Sequence, residues 1–572
     1  MSKILEIENK IKNVVNELGY ELDTVTLEKC NMKNLGQFQV NFAMSLAKKY
    51  SKNPREIAQN VVDAIQDDFK EASIAGPGFI NLTLKDEDLM DNAMREFEFH
   101  VDKEEEKTVI VDYGGANAAK ALHVGHMRAA NIGEALKRLS VLFGNKTIGD
   151  VHLGDIGRQA GMLISQLKLE QPDLPIWDEN YSGEVPKLNL TAKDLGRMYP
   201  EASVAAKADE KRMEEVRQIT AEIDKGNNKL YLDLWKQMVE ISSESIKEVY
   251  NKLNCHFELW EGEMDAMNYV PNVLDVLNPY LYESNGALIM DVQKEDDNTE
   301  IPPLMVIKSD GSTIYATRDL GTIYSRIDRF KPDEIWYVVD QRQGLYFEQV
   351  FRGSYISGLV PETTLLAHYG FGTINGKDGK PYKTRDGGVM ELGTLIELIR
   401  DEVESKIKEE ITGEEREKIA DKLAIATLKY TDLLPYRRTD YIFDPVKFSS
   451  LEGKTGPYLL YSAVRMKSLL NKVDSDNVTL KVVANDDVRD ILVKIVELSK
   501  VLKKAYEERA VNYIADYLYE IASLFNKFYN NNNIINEQNE EVKESYIALV
   551  KQVYGIVHKL LDVLAIEEVE KM

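Results

Sequence analysis

Cysteine is almost missing: only Cys30 and Cys255 occur in 572 residues, far apart and in no Cys-x-x-Cys pair. That argues against a disulfide framework or a thiolate zinc site, leaves no resident metal to expect, and points to a reducing cytoplasm. No stretch approaches the roughly 20 apolar residues that a membrane-spanning helix needs, so no membrane partner is expected. The opening Met1-Ser2-Lys3-Ile4 lacks the apolar core of a secretory signal. Positive charge is also in deficit, with 71 Lys and Arg against 96 Asp and Glu and a net charge of −25. Proteins that bind nucleic acid over their whole surface are usually basic. A local cationic face stays open, because exposed charges are screened beyond about 10 Å. Composition alone describes a cytoplasmic enzyme with no nucleic-acid partner.

What is present reads as several domains, since the chain is too long for one core. Residues 1–104 form a small α+β module. Ile4, Ile7, Ile11, Val14/Val15 and Leu18 recur at helical spacing, and Asn53-Pro54 opens a second helix with an N-cap and a first-turn proline. The turn Gly76-Pro77-Gly78 leads into a strand over 79–84, and the charged run 102–107 is a linker. From 105 to 390 strands alternate with helices. The strand 108–111 precedes a helix over about 126–143, a second strand ends near Val151, and alternation resumes at 304–307, 314–330, 335–339 and 365–374. This pattern predicts an α/β fold: a Rossmann-type parallel-sheet catalytic domain carrying a helical insertion over about 158–265. Residues 391–452 are read as a linker region and 453–572 as a helical bundle, with asparagines 530–533 in a loop between helices.

The chemistry is concentrated after the first strand, in Asp112-Tyr113-Gly114-Gly115-Ala116-Asn117-Ala118-Ala119-Lys120-Ala121-Leu122-His123-Val124-Gly125-His126. A helix N-terminus offers unpaired N–H groups and the positive end of a dipole, both suited to a triphosphate. Imidazoles beside that end can donate to charge growing on an α-phosphate under attack by a carboxylate. Gly125 lets the backbone approach closely. A lone His-x-Gly-His is as often a surface accident; the preceding strand, the following helix, and Asn117 and Lys120 upstream make the difference.

This segment resembles the signature of class I aminoacyl-tRNA synthetases in the form typical of the arginyl family, as does His152-Leu153-Gly154-Asp155 shortly after it. The resemblance implies that His123 and His126 stabilise adenylation, with His126 also near the amino acid. Gly376-Lys377-Asp378-Gly379-Lys380-Pro381-Tyr382-Lys383-Thr384-Arg385 resembles the second phosphate loop of the class. Thr384-Arg385 stands where Ser-Lys is usual, so Lys120, Lys383 and Arg385 share the expected catalytic charge. ATP is expected against His123, Gly125, His126, Lys383 and Thr384, with Mg²⁺ associated with the substrate.

A guanidinium is planar, permanently charged and wants carboxylate acceptors and a flat aromatic surface. Ser309 to Leu320 resembles the arginyl family's amino-acid-binding stretch, which implies Asp319 as guanidinium partner and Tyr315 as neighbour, on one face if a helix begins by Tyr315. By the same match Asp112, Gly115, Ala116, Asn117 and Gln343 hold the rest of the arginine. Tyr346, where the family commonly has histidine, and Ile156, where Trp is frequent, depart from the pattern.

Tyr458, Tyr461 and Arg465 fall on one helix face at i, i+3 and i+7, a spacing that suits stacking on unpaired bases. Their segment resembles the family's anticodon-binding domain, a resemblance that runs to Met572, implied to approach the anticodon loop. Val511-Asn512 replaces the family's common Pro-His. The N-terminal module, through 36–44 and 75–81, resembles the extension that contacts the tRNA D-loop. The implied function is arginine–tRNA ligase: a monomer taking L-arginine, ATP and tRNA(Arg), forming arginyl-adenylate with tRNA bound, then esterifying the 2′-hydroxyl of the terminal adenosine. Two rivals stay open, a class I synthetase for another amino acid and a tRNA-binding paralogue that does not charge. The two lone cysteines speak against a cysteinyl enzyme, and the intact histidine pair against the paralogue.

Overall fold

The computed structural model describes every residue except Asn31, Lys33, Glu179 and 383–389. The N-terminal module forms as its pattern predicts. Helix Lys3–Glu17 buries Ile4, Ile7, Ile11 and Val15, while Leu18 ends it in solvent. Asn53 accepts from the Arg55 N–H and caps helix Pro54–Ile65, with Pro54 in its first turn. Both helices accompany an antiparallel sheet whose four strands include Phe79–Thr83 between Phe38–Val40 and Glu71–Ala75.

The catalytic unit is built on five parallel strands: β1 Thr108–Asp112, β2 Lys146–Leu153, β3 Leu259–Gly262, β4 Glu334–Tyr337 and β5 Leu365–His368, in the order β5-β4-β1-β2-β3. β1 is apolar on both faces, as a central parallel strand must be. From β1 the chain winds outward through β2 and β3, then returns to β4 on the other side. The reversal falls between β1 and β4, and ligands of doubly wound sheets bind at the carboxyl ends of the strands beside such a point. Helix α1, Val124–Leu142, follows β1 and is buried along most of its length. Helix α2, Tyr315–Phe330, leads into β4, and α3, Gly344–Ile356, leads into β5.

Two expectations change here. Leu304–Ile307 does not join the parallel sheet; it pairs antiparallel with Ala287–Met290 in a separate three-stranded sheet. The strand that extends the parallel sheet is instead β3, whose Leu-Trp-Glu-Gly gives no alternating or continuous apolar signal. Between β2 and β3 lies the helical insertion, with helices Ala192–Ala208, Glu210–Asp224 and Lys229–Lys252 around a core that includes Leu163, Leu167, Trp235 and Met238.

Beyond β5, strand β6 Ile374–Asn375 pairs in parallel with β7 Tyr441–Ile442. Helix α4, Gly413–Leu433, lies between them in the chain and packs against a bundle of α5 Gly456–Leu470, α6 Asp486–Glu507, α7 Asn512–Asn531 and α8 Glu540–Val563. Asn530 and Asn531 form the last turn of α7, so the asparagine loop begins two residues later than expected. No helix among the described residues is long and apolar enough to cross a membrane, and Cys30 and Cys255 are both buried free thiols.

One polar cluster fixes α2 on the sheet. The Arg326 guanidinium, 1 % exposed, donates to Asp112 at 2.6 Å, to Asp150 at 2.6 and 3.1 Å, and to the Tyr337 hydroxyl at 3.1 Å. Asp112 and Asp150 are register partners on β1 and β2, and Tyr337 on β4 is the register partner of Asp112. Removing one partner of a buried ion pair costs about 3–5 kcal/mol, because the remaining charge is stranded. Arg326→Met is therefore expected to lower catalytic-domain stability by about that amount, read as a shifted urea midpoint in Trp336 fluorescence. The loss should shrink as pH falls and Asp150, raised by burial, protonates; a midpoint equal to wild type would show that the cluster carries no stability.

Candidate active site

The nucleotide end of the site is a helix cap made of two imidazoles. His123 is the N-cap of α1 and its Nδ1 accepts the Gly125 N–H at 3.1 Å. His126 reaches back, its Nδ1 accepting the His123 N–H at 3.0 Å. The rings lie 3.8 Å apart at 33°. An amide N–H can only donate, so each Nδ1 is unprotonated and each neutral ring carries its proton on Nε2. Burial and the neighbouring ring push His126 down to about 3, and burial lowers His123 as well. The helix end thus presents its N–H groups and two neutral Nε2–H donors, a set able to bind phosphate oxygens without taking up protons. Gly125 serves this cap directly: a Cβ there would stand 2.9 Å from the His123 ring.

The loop before the cap is held by β2. Asn117 bridges Gly154, the Ala118 N–H donates to the Gly154 carbonyl at 3.0 Å, and the Gly154 N–H to Ala116 at 2.8 Å. A Cβ on Gly154 would meet the Asn117 side chain at 2.6 Å. His152-Leu153-Gly154-Asp155 is thus partly scaffold: Asp155, pushed up to about 6 by burial, accepts the Met264 N–H at the start of helix Glu263–Met267. Met390, the first described residue after 383–389, accepts the Val124 N–H at 3.2 Å, and Leu392 donates to Leu122 at 2.8 Å. The candidates Lys383, Thr384 and Arg385 lie outside the described residues.

The second half of the site is acidic and lies on α2, one turn in. Asp319 accepts a hydrogen bond from the Tyr346 hydroxyl of α3, and its other oxygen is 3.7 Å from His152 Nε2. Burial, chiefly, raises its carboxyl above the usual range. Both ring nitrogens of His152 are buried with no hydrogen-bond partner among the described residues, and the ring lines a cavity of about 230 Å³ with Gly262, Tyr269 and Thr322. Glu263, which sequence reasoning missed together with β3 before it, is buried 3.0 Å from the Arg318 guanidinium. Burial holds it up at about 7 against that attraction. Two carboxyls raised by burial, Asp319 among them without an arginine or lysine partner, beside an imidazole that makes no hydrogen bond, give this corner the character of a cation site.

The remaining candidates spread outward. α2 does begin at Tyr315, so Tyr315 and Asp319 share a face, but Tyr315 is 63 % exposed and its ring already carries Arg318 at 4.7 Å. Gln343 is exposed at the end of the turn before α3. Asp112 is 6 % exposed with one oxygen committed to Arg326. Gly115 and Asn117 are exposed at the mouth and Ala116 is buried. Lys120 leaves the helix cap and lies 4.9 Å over Tyr199 of the insertion. Ile156 is half-buried just past Asp155.

On the bundle, Tyr458, Tyr461 and Arg465 are half-buried and joined. Arg465 donates to the Asn526 side chain at 2.9 Å and to the Tyr461 hydroxyl at 3.0 Å, and Asn526 donates to Tyr458. Met572 differs from expectation: it is 4 % exposed and packs in the core, so its thioether is not presented to RNA. Val511 caps α7 without a side-chain hydrogen bond.

Residues 5–84 match the arginyl tRNA synthetase N-terminal domain family, residues 89–445 the catalytic domain of class I tRNA synthetases (R), and residues 459–572 the DALR anticodon binding domain. An arginine–tRNA ligase of Alkaliphilus oremlandii is 44 % identical over 100 % of this chain and 99 % of its own; that of Agathobacter rectalis is 39 % identical over 100 % of both. The fold is that of the arginyl-tRNA synthetases of Plasmodium falciparum, TM-score 0.81 at 22 % identity over 99 % of both chains, and Thermus thermophilus, TM-score 0.81 at 20 % over 100 % of both.

The histidine cap makes a direct prediction. Across about pH 5 to 8 the imidazole Nε2–H signal of His126 should persist and its ring should not titrate, while His123 should titrate below the ordinary histidine value, as read by ¹H–¹⁵N correlation across the seven histidines. A His126 midpoint near the ordinary value of about 6.5 would overturn the cap assignment.

Proposed function

The chain belongs to the arginyl-tRNA synthetase family, and from that premise we propose how its residues divide the work. The enzyme charges tRNA(Arg) with arginine, with ATP as co-substrate. The carboxylate of L-arginine attacks the α-phosphorus of ATP, the bond to the β-phosphate oxygen breaks, and pyrophosphate leaves with arginyl-adenylate formed. The 2′-hydroxyl of the terminal adenosine then attacks the activated carbonyl, losing its proton as AMP departs. Catalysis is positioning and electrostatics, without a covalent protein intermediate.

His123 and His126, through Nε2–H, and the N–H groups of α1 take the α-phosphate oxygens; Gly125 keeps the cap close. Lys120, Lys383 and Arg385 supply the cationic charge, Lys383 and Thr384 lie against the triphosphate, and Mg²⁺ travels with it as part of the substrate. Asp319 takes the guanidinium, with Glu263 and His152 beside it and Tyr315 covering the mouth. Asp112, Gly115, Ala116, Asn117, His126 and Gln343 hold the α-amino and carboxylate end. Tyr458, Tyr461 and Arg465 meet the anticodon region, the N-terminal module meets the D-loop, and the first step requires bound tRNA. The domains divide at about 104, 390 and 452, and the enzyme works as a monomer in the cytoplasm.

The observation that carries this reading is the half-buried Asp319, which meets the Tyr346 phenol and the His152 imidazole rather than a lysine or arginine of the protein. Arginine-dependent ATP–pyrophosphate exchange with and without tRNA tests it: activity is expected only with both, and exchange driven by another amino acid would defeat the assignment. Asp319→Ala should lose about 30-fold or more in arginine activation, the usual 2–5 kcal/mol for deleting one partner of a desolvated charge pair, while tRNA still binds. Equal loss of both would make Asp319 scaffold.

The raised carboxyls give this site a pH signature. Glu263, held up at about 7, takes a proton just below neutrality, burial raises Asp319 in the same direction, and a guanidinium binds the ionised forms. Arginine binding therefore expels protons, and KM for arginine should fall as pH rises from about 5.5 to about 8, while KM for ATP, set by neutral histidines, stays flat. A KM for arginine independent of pH would remove these carboxyls from the pocket.

A further inference from the structure

A second buried ion pair joins the catalytic unit to the helical bundle. Arg128, 1 % exposed, lies on α1 two residues past His126 and pairs with Asp432 of α4, likewise 1 % exposed, at 3.2 Å. The same carboxylate accepts from the Asn131 side chain of α1 at 3.0 Å and from the Tyr441 hydroxyl of β7 at 3.2 Å. Arg128 also donates to the Thr439 carbonyl at 3.0 Å, and its guanidinium lies 5.1 Å over the Tyr441 ring. One carboxylate thus holds three elements: the histidine helix, the helix that enters the bundle, and the strand paired with β6.

α4 is tied as firmly on its other side. The Tyr430 hydroxyl donates to the Ala515 carbonyl of α7 at 3.0 Å. At the start of α5, Gly456 sits so close that a Cβ would stand 2.3 Å from the Ala426 carbonyl. α4 therefore moves with the bundle that carries Tyr458, Tyr461 and Arg465, and Asp432 moves with α4. The proposed reactions use neither Arg128 nor Asp432, and both are shut away from substrate. Burying an ion pair gains little stability over an apolar pair of the same shape; what it fixes is the direction and distance between the elements that carry it.

We propose that Arg128, Asp432 and Tyr441 are positioning residues that hold the histidine end of α1 in register with the RNA-binding bundle, so that tRNA seated on the bundle is felt at His126. The inference rests on the reading of α1 as the nucleotide site. Displacing a reacting group by about 1 Å can cost 10²-fold, so a loosened register should act chiefly on turnover and leave the guanidinium end of the arginine pocket, which hangs on α2, intact.

The test uses the full chain with tRNA, comparing Asp432→Asn, Arg128→Lys and Tyr441→Phe, the last removing a single hydroxyl. In arginine-dependent exchange Asp432→Asn should lower kcat about 10- to 100-fold and Tyr441→Phe by a smaller factor. KM for arginine and Kd for tRNA should stay within about twofold. Arg128→Lys should retain more turnover than Arg128→Met. The losses of Arg128→Lys and Tyr441→Phe should combine to less than their product, since both act through one carboxylate. If Tyr441→Phe matches wild type, or if KM for arginine, Kd for tRNA and thermal midpoint all worsen with kcat, the cluster is scaffold alone and the proposal fails. A wild-type chain inactive with arginine and tRNA would instead defeat the functional reading, so the two failures are told apart.

Discussion

Taking an ion out of water costs several kcal/mol, and the catalytic sheet does so three times at one point, where Arg326 meets Asp112 and Asp150. The arrangement makes sense as geometry. A guanidinium is a rigid fork, and here it spans the register row Asp112–Asp150–Tyr337 across three strands. Two helical turns upstream on the same helix sits Asp319. The strand ends that lead to the histidine cap and the helix that carries Asp319 are thereby locked into one frame.

The sequence was most legible where local physics decides the structure. Asn53-Pro54 caps a helix wherever it occurs on a helical pattern, and the histidine segment sits between a β-branched run and an amphipathic helix. Legibility failed where partners are remote. Leu304–Ile307 has the composition of a central strand, but composition cannot say which sheet a strand joins. β3 is short, with a charge and a glycine, and is a strand because β2 offers it an edge. With β3 went Glu263, the residue after it. Asp150 and Arg326 are 176 positions apart, and no periodicity links them. Met572 looks like a free terminus in the sequence and is a core residue in the fold.

Overall acidity and RNA binding are reconciled by the same kind of separation. A charge of −25 is spread over the whole surface and screened within about 10 Å. A single-stranded loop needs aromatic faces and a few well-held cations instead. Arg465 is held in that way: two hydrogen bonds fix its guanidinium between Tyr461 at 4.9 Å and Tyr529 at 4.8 Å. An arginine ordered before binding loses little side-chain entropy on meeting a base. The net charge sets solubility and long-range repulsion, whereas recognition is settled at contact distance.

The acids around Asp319 turn the same reasoning on selectivity. Lysine, the other long natural cation, has a compact ammonium that is strongly hydrated; guanidinium is planar and more weakly hydrated. A pocket of fully ionised, solvated carboxylates would attract both by charge alone. Carboxyls held up by burial, as Glu263 and Asp319 are, give back their desolvation cost only to a cation that shares their hydrogen bonds in the right plane. The fork does so and the ammonium does not. In such a pocket burial weakens attraction for charge in general and sharpens it for one shape of charge. The acids of this pocket are raised by burial beside a histidine whose ring makes no hydrogen bond, whereas Asp112 and Asp150 each give an oxygen to Arg326, a guanidinium that is built in.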